Sequence, residues 1–434
     1  MSYILFITPY YPPEKGAAAV RISETAVRLV RQGHSVTILT TFPNYPTGIV
    51  PLAYRGHRMK IEWLDGVRIV RVWSYTSANK GFLRRIFAQL SFGCLAPLLG
   101  WSHIGHPDII IAQSPPLFDA IAARMLSRFK RIPFIFMVSD LWPESAVQLG
   151  ALRNTLFIRL SQWLEKTTYQ RASAIWAMTE GIRKTLLQEG LAPDKVFFLP
   201  NGVDTKRFRP LARESDRNQL FIVLYVGTFG LSHGLMTVLD AAEELRDCQN
   251  VRFILAGDGA EKEQLVAEAG RRQLANVTFL DAQPHERVPS LLAGADACLV
   301  PLRKLPLFEG ALPIKMFEAM ACGRPILLAV DGEARRLAEQ EAGAAIYVEP
   351  ENPRALVGAI KTLREHPDVA EAMGKRGRAF VEAHFDRDML TQMLEARITA
   401  MLGKQSIASA VVQASPIWPA RYTESEEVGE YVKR

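Results

Sequence analysis

Short, continuous apolar runs alternate with longer amphipathic segments along almost the whole chain. "YILFIT" (3–8) leads into a helical pattern, "AVRISETAVRLVRQG", which Gly33 closes, and "HSVTILT" begins the next run. "GVRIVRV" (66–72), "DIIIA" (108–112), "PFIFMVS" (133–139), "ASAIWAM" (172–178) and "KVFFLP" (195–200) continue the series. After residue 218 the rhythm restarts with "LFIVLYVG", "VRFILAG", "VTFL", "ACLVPL", "PILLAV" and "AAIYV". Runs that are apolar throughout and separated by helices predict parallel strands covered on both faces. Two such series predict an α/β protein of two Rossmann-like, doubly wound domains. "PNGVDTKRFRP" (200–210), with its prolines and Asn-Gly, reads as the linker between them. The expected division is 1–205 and 206–385, then a helix over 386–402 crossing back to the first domain, then a polar tail over 403–434.

Composition supports this division. A chain of 434 residues with 48% apolar side chains is too long for one ordinary core. Mean hydropathy near zero and 22% charged residues describe a soluble globular protein. The four cysteines, Cys94, Cys248, Cys298 and Cys322, form no Cys-x-x-Cys pair and read as reduced core residues. "MSYILFITPYYPP" lacks a basic stretch and a cleavage site, so it reads as a first strand. Charge is uneven. Residues 1–204 carry 23 Lys and Arg against 13 Asp and Glu, and the remainder 29 against 32. The basic half suits an anionic surface or substrate. Nucleic acid is not expected, because no basic run is interleaved with aromatics. "GFLRRIFAQLSFGCLAPLLGW" (81–101) sets Leu83, Phe87, Leu90, Cys94, Leu98 and Trp101 on one helical stripe. It is short and polar for a membrane span. It predicts either an interfacial helix at a membrane or a helix packed on its own domain.

The chemistry is expected at strand ends, where doubly wound sheets bind ligands. In "EGALPIKMFEAMACGRPILLAV" (309–330), Pro313 and Gly323 bracket a helix over about 313–321. Its N-terminus, approached by Gly310, Ala311 and Leu312, suits a phosphate. Lys315 lies in that first turn, where the helix dipole disfavours a cation unless an anion is bound. Glu318, three residues on, would reach past the phosphate to ribose hydroxyls. Gly227, Thr228 and His233 in "YVGTFGLSHG", Gly257 in "LAGDG", and Gly16 with Ala17 in "TPYYPPEKGAAAVR" mark similar turns. None is a strict dinucleotide or P-loop motif. "DRD" (386–388) reads as a helix cap, not as a metal site.

These stretches, with "PNGVD", "NVTFL", "FEAMACGRPIL", "SPPLFDAIAA" and "SDLWPESAVQLG", resemble the family-four glycosyltransferases of the GT-B fold over about residues 1–400. The last two are similar to the branch that builds capsule, colanic-acid and O-antigen polysaccharides. The resemblance implies a hexosyltransferase-type enzyme whose two domains face across a cleft. It implies transfer of a sugar from a nucleotide-sugar donor to a lipid-linked oligosaccharide acceptor, with retained configuration and no metal or other cofactor. It places the donor in the second domain, with Glu318 on the ribose and Leu280 near the base; the family's diphosphate-binding Arg and Lys fall at Thr228 and His233 here, which leaves that work to Lys315, Lys304 or Arg303. The family's earlier glutamate falls at Gly310, one residue from Glu309. Asp140, at the end of the run "PFIFMVS" (133–139), would orient or deprotonate the acceptor hydroxyl, beside Trp142 and Glu144. The expected setting is the cytoplasmic face of the inner membrane, held by the basic first domain and residues 81–101. Two alternatives stay open: a nucleotide-sugar epimerase with paired Rossmann domains, and a non-catalytic assembly protein of the same fold.

Overall fold

Every apolar run named above becomes a strand. The computed structural model describes residues 1–403, except 15, 46, 77–81, 149, 151 and 212–219. Its first sheet contains β1 (Tyr3–Ile7), β2 (Ser35–Thr41), β3 (Met59–Leu64), β4 (Val67–Val72), β5 (Ile109–Ser114), β6 (Phe134–Val138), β7 (Ala174–Ala177) and β8 (Val196–Phe198). The order across it is β3-β4-β2-β1-β5-β6-β7-β8. The second holds β9 (Phe221–Thr228), β10 (Val251–Asp258), β11 (Val277–Leu280), β12 (Ala297–Pro301), β13 (Ile326–Ala329) and β14 (Ala345–Tyr347). Its order is β11-β10-β9-β12-β13-β14. The pairing in this sheet is parallel throughout. Each sheet has its own core. Leu5, Ile110 and Phe136 belong to one, and Val223, Phe253 and Leu299 to the other. In each sheet the order reverses beside the central strand, β1 or β9, and the ligand crevice of such folds lies at that strand's carboxyl end.

The first sheet has one antiparallel pair, β3 with β4, joined through Asp65 and Gly66, both at positive φ. This hairpin was not expected. β3 is an edge strand whose Trp63 and Leu64 are exposed, so it lacks the buried signature of its neighbours. Buried Arg71 of β4 pairs with Glu62 at 2.7 Å and donates to the carbonyls of Thr41 and Pro12. It thereby fastens the loop after β1.

Helix Phe82–Gly100 turns Ile86, Phe92 and Ala96 into the core. Of the expected stripe only Leu90 packs against that core; Leu83, Phe87, Cys94, Leu98 and Trp101 are exposed. Helix Thr155–Arg171 exposes Leu156, Leu160 and Trp163 in the same way. At the other end of the chain, Asp386 Oδ1 accepts from the backbone nitrogens of Asp388 and Met389, capping the helix Arg387–Met401. Arg28 of the first domain meets Asp388 at 2.6 Å and Asp204 of the linker at 2.7 Å.

Candidate functional site

The helix after the 3₁₀ turn Pro306–Phe308 runs from Ile314 to Ala321, with Pro313 as N-cap. Gly323 ends it at positive φ. Gly323 N donates to Met320 O and Arg324 N to Ala319 O, a Schellman closure. Lys315 therefore sits in the first turn, as expected. Its Nζ donates to Tyr225 Oη at 3.0 Å and lies 4.1 Å from the centre of that ring. Tyr225 is fully buried on β9, and its hydroxyl donates a hydrogen bond to Thr228 O at 2.6 Å. Among the described residues no carboxylate forms an ion pair with Lys315. Desolvation pushes its pKa down to about 7, with Glu318 opposing the shift. The ammonium is thus held by a hydroxyl and a ring face.

The glycines at this end keep that space open. A Cβ on Gly227 would stand 2.8 Å from Lys315 Nζ, and one on Gly257 would stand 1.8 Å from Gly227 O. Thr228 ends β9 and is exposed, and Leu280 ends β11 half-buried. His233 is pushed down to about 3, first by burial and then by Lys315, so it is neutral. Its Nδ1 lies 3.3 Å from both Gly230 O and Ser232 Oγ. Arg303 and Lys304 are spent on Glu351 and Glu349.

Glu318, one turn on from Lys315, has a partner that the sequence did not disclose. His285 Nε2 lies 3.2 Å from its Oε1. His285 Nδ1 lies 3.0 Å from Arg207 Nη1, and its ring packs 5.2 Å from that of Phe208. Arg207 also meets Glu24 of the first domain at 3.0 Å.

Glu309 is exposed, and its carbonyl accepts from Glu333 N at 2.6 Å. Gly310 abuts Gly181 of the first domain; a Cβ on Gly181 would stand 3.1 Å from Gly310 Cα. Glu333 bridges the same seam. Its carboxylate accepts from Glu180 N at 3.0 Å and Gly181 N at 2.9 Å, at the start of helix Glu180–Gln188. Ala311 is half-buried and Leu312 buried.

In the first domain, Gly16 and Ala17 are exposed at the start of helix Ala17–Arg31. Asp140 follows β6. Burial pushes its pKa up to about 6 against hydrogen bonds from Ser145 and Leu141. Trp142 packs edge-on against Phe118 and Phe157. Glu144 is exposed and accepts from Gln148.

Two parallel-sheet domains of this kind are the architecture of the GT-B glycosyltransferases. The chain belongs to this class by family as well. Residues 16–202 match the Glycosyl transferase 4-like domain, and residues 209–380 match Glycosyl transferases group 1. WcaI of Escherichia coli (strain K12), described as a glycosyl transferase of colanic acid biosynthesis, is 29% identical over 389 residues, spanning 84% of this chain and 94% of its own. Sucrose-phosphate synthase from Thermosynechococcus elongatus superimposes with TM-score 0.73 at 19% identity, over 93% of this chain and 100% of its own. Anabaena HepE, solved in complex with UDP-glucose, gives TM-score 0.66 at 19% identity over 93% and 100%. These structural likenesses concern the fold.

Proposed function

We propose that the protein transfers a sugar from a nucleotide-sugar donor to a lipid-linked glycan acceptor in surface or exopolysaccharide synthesis, with retained configuration. The observation that carries this reading is Lys315, desolvated, without a carboxylate partner among the described residues, at the start of a helix. A departing nucleoside diphosphate gains negative charge, and a preorganised ammonium with a helix dipole stabilises it. Glu318 holds the ribose, and Asp140 orients the acceptor hydroxyl. The reading calls for no metal. Kinship with WcaI supports a polysaccharide product, and the UDP-glucose bound by HepE supports a nucleotide-sugar donor.

A lipid-linked acceptor brings the enzyme to the cytoplasmic face of the membrane as a peripheral protein. Exposed Leu83, Phe87, Leu98 and Trp101, beside exposed Arg84 and Arg85, suit an anionic interface. Leu156, Leu160 and Trp163 on helix Thr155–Arg171 extend the apolar surface. Among the described residues no helix is long and apolar enough to cross a membrane.

The test is incubation with UDP-, GDP- and ADP-linked sugars and a polyprenyl-diphosphate glycan, with product mass and anomeric configuration read out. Elongated product of donor-like configuration is expected. Interconversion of the donor without an acceptor would indicate an epimerase instead. Failure to bind any donor would indicate an assembly protein.

A further inference from the structure

His285 stands between the donor site and the linker, and its hydrogen-bond polarity follows from its partners. Arg207 can only donate, so His285 Nδ1 must be an acceptor. The ring hydrogen therefore lies on Nε2, which faces Glu318 Oε1 at 3.2 Å. Glu318 can only accept, so the two contacts agree on one tautomer of a neutral ring. Phe208 holds the ring in place, and Phe208 is itself fixed: Arg378 donates to its carbonyl at 2.6 Å and to Ala321 O, the end of the helix that carries Glu318, at 2.8 Å. The chain Glu318–His285–Arg207–Glu24 thus runs without a gap from the second domain, through the linker, to a helix of the first.

We propose that His285 is a positioning residue that fixes the Glu318 carboxylate for the donor's ribose. A carboxylate free to rotate loses orientation at each hydroxyl it must meet. One oxygen anchored by Nε2–H leaves the other directed. His285 itself does not touch the donor in this proposal, and the proposal rests on the ribose role of Glu318 given above.

The test compares the affinities of a nucleoside diphosphate (UDP, GDP or ADP, whichever binds) and its 2′,3′-dideoxy analogue. The ratio is read by calorimetry, so any general loss of folded protein cancels. Wild type should prefer the ribonucleotide by at least about tenfold. In Glu318→Ala the preference should vanish. In His285→Ala it should fall at least about threefold, and His285→Gln, which keeps a donor and an acceptor, should restore part of it. Loss of the preference in Glu318→Ala but not in His285→Ala would overturn the positioning role alone. An unchanged preference in Glu318→Ala would overturn the ribose reading, and the proposal with it.

Discussion

Lys315 offers the sharpest test, because its environment gives a quantitative pH dependence. With a pKa of about 7, half of the molecules carry the ammonium at pH 7 and roughly 1% at pH 9. A diphosphate needs the charged form, so binding above neutrality must draw a proton from solvent. Mass action then gives about a 50-fold loss of affinity between pH 7 and pH 9. The phosphate's own second ionisation lies near 6 and does not interfere in that window. Calorimetry in two buffers of different ionisation enthalpy should register uptake of about half a proton at pH 7. Lys315→Met should flatten the profile and weaken binding at pH 7 by about 10- to 100-fold, the worth of a charge-assisted hydrogen bond. The variant removes a desolvated cation, so its Tm should hold or rise. In the wild type the sign is the same: the folded pKa lies below the unfolded one, so stability should increase as pH climbs above about 7 toward 10.5. Diphosphate binding that is equally tight at pH 7 and pH 9, or unaffected in Lys315→Met, would refute the reasoning.

Three further outcomes follow from the same geometry. Gly257→Ala should destabilise the second domain by several kcal/mol in urea unfolding, since its Cβ would collide with a backbone oxygen at 1.8 Å. Gly227→Ala should cost some stability, since φ is +157° there, and displace Lys315 Nζ, weakening donor binding by the folded protein about tenfold in calorimetry. Asp140, whose carboxyl is pushed up to about 6, should give kcat/KM for the acceptor an acid limb falling about tenfold per pH unit below that value. In Asp140→Asn the rate should be low and the limb gone.

The architecture was legible because buried parallel strands leave continuous apolar runs that polar surfaces do not imitate. β3 escaped for the opposite reason: "MKIEWL" alternates, its outer face is exposed, and only the Asp65-Gly66 turn announced it. Lys315 was legible from a local conflict, a cation in the first turn of a helix. Its partner Tyr225, 90 residues away, was not. His285 left no signal in the sequence, since its role depends on Arg207 and Glu318, far off on either side. Leu83, Phe87, Cys94, Leu98 and Trp101 were legible as a stripe but not as an exposed one. Helix Phe82–Gly100 is apolar on both flanks, so spacing alone does not say which flank faces inward.

Glu333 carries a kinetic consequence. Its carboxylate belongs to the domain that would load the donor, yet it is satisfied by two amides of the other domain, and the backbone beside it meets Gly181 with no side chain between. Opening the halves along this seam means breaking both of these hydrogen bonds. Any step that needs the halves apart must therefore first leave that carboxylate to find other donors.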